Sequence, residues 1–222
     1  MDFQDLVDTP QKVKTLAGTV VFLVAFPVYF AALPSLVDGE ISGGSSGLTG
    51  SLMVSFDESE NTLSESVTLG DGESYETTFD LMVEPGLSIG YVELQVSCFD
   101  NDDPGPGFTD SVEGQSELSE IEGVDDQNGE GDCSGGGEGG FTIRWDVTEN
   151  YSGSEYSEEE MNENDIRQLW NDGGVGRGEW SATITATIEN APVPVAGGII
   201  DNDEDFEINW TAVFYNLTIE AA

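Results

Sequence analysis

Two clusters of carboxylates are the residues of this 222-residue chain whose types and spacing could do chemistry. Asp100, Asn101, Asp102 and Asp103 precede Pro104-Gly105-Pro106-Gly107, and Asp201, Asn202, Asp203, Glu204 and Asp205 precede the last apolar stretch. Both read as loops in which several oxygens can converge, and oxygen-only sites suit hard cations, calcium above all. The candidate metal ligands are therefore Asp100, Asp102, Asp103, Asp201, Asp203 and Asp205. The second cluster starts like an EF-hand loop, but Phe206 stands where that loop needs Gly and Ala212 where it needs a bidentate Glu. The competing reading is a pair of solvated acidic loops, which a chain with 45 Asp and Glu forms without purpose. Paired carboxylates also hydrolyse glycosides, but that needs a separation of about 5–9.5 Å inside a cleft, and nothing in the spacing supplies one. A non-enzymatic role is the expectation.

The two cysteines, Cys98 and Cys133, are expected to form one disulfide in an exported domain. The loop it closes, about 36 residues, is worth roughly 3–4 kcal/mol in the chain-entropy model. A redox role would want a C-x-x-C pair or a basic neighbour, and neither is present. The tied segment, 100–140, is rich in Gly, Asp, Glu and Ser and reads as a long loop, largely disordered if left free. Asn150-Tyr151-Ser152, Asn209-Trp210-Thr211 and Asn216-Leu217-Thr218 match the N-glycosylation acceptor pattern, with chance occurrence in a Thr-rich strand protein as the alternative.

Five Lys plus Arg against those 45 acids, and no histidine, give a net charge of −40. Nucleic acid is excluded as a partner, because phosphate binding depends on Lys and Arg. Chemistry that needs imidazole, including most zinc, haem and copper sites, is excluded too. Three of the acids and both lysines lie in the first 37 residues, so residues 38–222 carry 42 acids against Arg144, Arg167 and Arg177, a net of −39. Charge on that scale implies saline surroundings, marine or hypersaline, or bound divalent cations.

The elements that position these groups start with Leu16–Val37, 22 residues without a charge, enough for a helix to cross about 30 Å of hydrocarbon. Lys12 and Lys14 precede it while Asp38 and Glu40 follow, so the positive-inside rule puts residues 1–15 in the cytoplasm and 38–222 outside. A cleavable signal peptide is the rival; the length of the lead and of the apolar run, with Pro34 at the best cleavage site, favour a retained anchor in the cell membrane. Residues 38–47 read as a flexible tether and 48–222 as one domain.

Two-residue periodicity dominates that domain. Tyr75 to Val83, Val92 to Cys98, Phe141 to Val147 and Trp180 to Ile188 each alternate, as half-buried antiparallel strands do. Phe206, Ile208 and Trp210 have one parity and Val213, Tyr215, Leu217 and Ile219 the other, which implies a β-bulge near Thr211 or Ala212, or a crossover between sheets. A capping box at Ser157–Glu160, followed by Met161, Ile166, Leu169 and Trp170, predicts one short helix, with an acidic loop as the alternative.

Four runs, Tyr75–Gly86, Tyr91–Asp103, Gly139–Val147 and Gly178–Ile188, together resemble the pre-peptidase C-terminal and proprotein-convertase P-domain type of β-sandwich, over residues 70–220. That resemblance implies a jelly-roll-like or Ig-like domain of about eight antiparallel strands, often appended to secreted or cell-surface proteins and sometimes carrying calcium at its acidic loops. The Cys98 to Cys133 loop and the 157–170 insertion depart from the pattern. Composition and a single N-terminal anchor also look like archaeal surface proteins, including stator or pilin-like subunits, although Pro27 and Pro34 in the span argue against a pilus filament. The expectation is a single-pass structural or interaction subunit of a surface or envelope assembly, with a calcium-dependent ligand or glycan binder as the alternative and a carboxylate hydrolase as the least favoured.

Overall fold

The computed structural model describes residues 48–99, 109–134, 138–189 and 203–222, and Leu48–Ala222 forms one compact unit. The expected span 16–37 and tether 38–47 lie outside the described residues, as do Asp100, Asp102, Asp103 and Asp201. Among the described residues no helix is long and apolar enough to cross a membrane.

The fold is mostly β. Nine strands, β1 (Leu52–Gly70), β2 (Ser74–Leu81), β3 (Ser88–Cys98), β4 (Asp110–Ser116), β5 (Asn128–Ser134), β6 (Glu138–Asp146), β7 (Tyr156–Glu158), β8 (Gly178–Thr187) and β9 (Asp203–Ala221), form one antiparallel sheet. Their spatial order is β2-β8-β4-β5-β6-β3-β9-β1-β7. The alternating runs form β2, β3, β6 and β8 because each presents its apolar parity to one core, to which β9 adds Phe206, Ile208 and Trp210. Side chains from both halves of the order meet there: Trp145 of β6 lies 6.0 Å from Trp210 of β9 and 5.3 Å from Trp180 of β8, and Phe79 of β2 stacks 5.9 Å from Trp210. The sheet is therefore curled, and β1 and β2 approach one another across a seam with no ladder between them. There Tyr75 and Thr77 of β2 donate hydrogen bonds to Glu65 of β1.

Three expectations are corrected. The change of parity in β9 is not a bulge in that strand, whose register with β1 is unbroken from Leu52↔Ala221 to Gly70↔Asp203. Instead the covered face changes. Phe206, Ile208, Trp210, Ala212 and Phe214 face the main core, whereas Val213, Tyr215, Leu217 and Ile219 face two smaller clusters on the opposite side, built with Phe56, Tyr151, Ile166 and Trp170. The irregularity lies in β3, where Ile89 pairs with Phe214 and Tyr91 with Val213, leaving Gly90 over. A Cβ at Gly90 would fall 2.5 Å from the Tyr151 ring, so the bulge makes room for the second cluster.

The helix, α1, spans Glu163–Leu169 rather than starting at Ser157. Asn162 caps it, its side chain accepting from the N–H groups of Asn164 and Asp165, while Tyr156–Glu158 pairs with β1 as β7. Glu158 folds back instead, accepting from the N–H groups of Glu159 and Glu160. The third correction concerns segment 100–140, which contributes β4 and β5 despite its polarity. Phe141 explains this: its ring occupies the space where Gly114 and Gly129, paired across β4 and β5, would carry Cβ atoms.

Candidate functional site

Asp203 and Asp205 are exposed strand residues of one parity in β9, about 7 Å apart along the chain. Asp205 accepts from the Thr68 hydroxyl through its side chain and from the Phe99 N–H through its carbonyl at 2.8 Å. With Ser66, Thr68, Phe99 and Glu207, it lines a shallow groove of about 350 Å³.

Cys98, at the end of β3, and Cys133, in β5, are joined in a disulfide with Cα atoms 5.6 Å apart, and both are buried. It ties strands on either side of β6, where β5 and β6 pair at two positions among the described residues, Cys133↔Gly139 and Ser134↔Glu138. A carboxylate oxygen of the buried Glu204 lies within 4.8 Å of both sulfurs, but bonded sulfurs offer no thiolate to a metal. Of the three glycosylation acceptors, Asn150 is exposed in a turn with φ 61°, and Asn216 is exposed on β9. Asn209 is half-buried and engaged, accepting from Ser64 and donating to Glu207.

Sequence reading missed a wider groove, about 550 Å³, on the solvent side of β4, β5 and β8. Thr185, Glu113 and Glu130 form one row across it and Thr183, Gln115 and Asn128 the next. The only signal was the alternation of β8; which residues stand opposite one another follows from a register that composition does not encode. The two glutamates are side by side on an open strand surface, a placement unlike the opposed carboxylates that glycoside cleavage needs.

The polar groups with strong partners serve packing. Asp172, buried, accepts from the Ile89 N–H (2.8 Å) and pairs with Arg177 (3.0 Å). Arg144 pairs with Asp146 and lies over the Tyr91 ring, and Arg167 pairs with Glu163, so each arginine of the unit is engaged within it. The Glu163 carboxyl is held below the usual range by hydrogen bonds from the Leu48 N–H and from Arg167. Burial and then the Glu58 carboxylate push the Tyr151 hydroxyl up, burial does the same for Tyr215, and Glu65 raises Tyr75 chiefly through its charge.

One surface is left open by the topology. β1 is paired along its whole length with β9, but on its other side only Leu52, Met53 and Val54 meet a described strand, β7. Beyond them the seam with β2 is reached at Glu65, so the edge from Ser55 to Ser64 faces no described strand. Asp57 to Thr62 are exposed on both faces. No protein-family model matches the chain, and no curated protein matches it in sequence.

Proposed function

We propose that this chain is a membrane-anchored, extracytoplasmic interaction subunit of a surface or envelope assembly, its domain a β-sandwich of jelly-roll-like type and non-catalytic. The observation that carries the reading is the long edge of β1 that faces no described strand, whose N–H and C=O groups a partner strand can extend. Support for the sandwich comes from the core shared by both halves of the sheet, with Trp145 between Trp180 and Trp210. The uncharged run Leu16–Val37, behind two lysines, supports the anchor.

The calcium-dependent binder keeps one observation in its favour. Phe99, the residue before Asp100, donates to the Asp205 carbonyl, so both acidic segments adjoin neighbouring strand ends of β3 and β9. The assembly reading is tested by purifying the full-length chain from solubilised native membranes, beside the variant Asp57→Lys/Glu60→Lys. A stoichiometric partner present with the native chain and depleted at least about tenfold with the variant is expected, a difference of about 1.4 kcal/mol. Recovery of the native chain alone would sink the reading.

A further inference from the structure

Edge strands in folded proteins carry devices against unwanted pairing: proline, a bulge, brevity or charge. β1 has 19 residues, no proline, no glycine before its last position, and a register with β9 that never shifts. Along the stretch exposed on both faces, where the Glu58 side chain also meets Tyr151 and Gly153 of the segment before β7, its device is negative charge, with Asp57, Glu58 and Glu60. Their hydrogen-bond donors are neutral, Thr218 for Asp57 and Tyr151 for Glu58, and the unit's three arginines are paired at Asp146, Glu163 and Asp172. No cation of the described residues compensates this edge.

The sign of that charge selects the partner. Two copies pairing through β1 would set the same carboxylates against one another, with a further repulsion between chains of net charge −40 each. A strand bearing Lys or Arg gains from the same field. Because alternate residues of a strand point to opposite faces, a segment with cations at alternate positions meets Glu58 and Glu60 along one face while its backbone extends the ladder. We infer that the β1 edge from Asp57 to Thr62 is a docking strand for an extended, basic segment of a partner protein, which rests on the interaction-subunit reading above.

The probe is an alternating Lys-Val peptide of about eight residues, near the usual strand length, compared with the same peptide N-methylated at alternate positions. N-methylation keeps the charge and removes the ladder donors. With the full-length chain, the unmodified peptide is expected to bind at least about tenfold more tightly and to slow amide exchange at Asp57–Thr62. Asp57→Lys/Glu60→Lys should abolish that difference while the unfolding midpoint stays within a few degrees. Equal binding of the two peptides would reduce the effect to general electrostatics, and absence of binding, protection elsewhere, or self-association through β1 without peptide would each overturn the inference. A native partner that survives the double substitution leaves the interaction-subunit reading standing and removes only this docking strand; failure to recover any partner removes the reading itself.

Discussion

Trp210 and Thr77 show what a single buried hydroxyl does in this protein. The indole N–H of Trp210, wholly buried, donates to the Thr77 hydroxyl at 3.0 Å, and Thr77, 1 % exposed, donates in turn to Glu65. The three residues come from β9, β2 and β1, so a relay of two hydrogen bonds closes the seam that no backbone ladder closes. Thr77→Val keeps the shape and removes the acceptor, leaving a buried N–H unsatisfied. Destabilisation of about 1–3 kcal/mol is expected. Adding Trp210→Phe should then cost less than Trp210→Phe alone, with coupling of at least about 0.5 kcal/mol. Denaturant unfolding of the four chains measures this; strictly additive costs would mean that the relay carries no energy of its own.

At the scale of elements, close approach decides where strands run. Gly140, at φ 103° in β6, has the Val96 carbonyl oxygen 1.9 Å from where its Cβ would be, so an added methyl must push β6 from β3. Gly72 has a similar left-handed φ, 70°, in the turn from β1 to β2, with nothing near. Gly72→Ala should cost backbone strain alone, about 1 kcal/mol, and Gly140→Ala about 3 kcal/mol or more. Thermal midpoints should fall by about 3 °C and about 10 °C respectively; equal falls would mean that β6 has slack at this point. Such contacts also mark where the sequence ceased to be readable. β2, β3, β6 and β8 announce themselves by alternation because one face of each is buried. β4 and β5 are polar and glycine-rich, and become strands because Phe141, distant in sequence, needs glycines to lie on. β1 escapes notice because Asp57–Thr62 bury neither face, and its length is dictated by β9. The Cys98–Cys133 pair was legible from the count of two cysteines in the chain. The open edge was not, since edge status belongs to topology and no local pattern records it.

For the whole molecule the dominant quantity is charge. Residues 38–222 hold 42 acids and three arginines, and the arginines are already paired inside the fold. The remaining carboxylates repel one another across a unit whose neighbouring strands lie about 4.8 Å apart, well within the Debye length of about 30 Å at 10 mM salt and beyond that of about 3 Å at 1 M. Unfolding lets these charges move apart, so the folded state gains from screening more than the unfolded chain does. The thermal midpoint should therefore climb steadily from 10 mM to 1 M sodium chloride, by about 5 °C or more, since about 1 kcal/mol moves the midpoint by about 2–4 °C at this size. An unchanged midpoint would make the acids solubilising surface and would remove the inference of saline surroundings. Calcium separates screening from binding in the same measurement. At millimolar calcium and constant ionic strength, a midpoint that follows the sodium series assigns the acidic segments to general screening, whereas an additional rise that saturates would mark preferential binding to the folded state and favour the calcium-dependent reading.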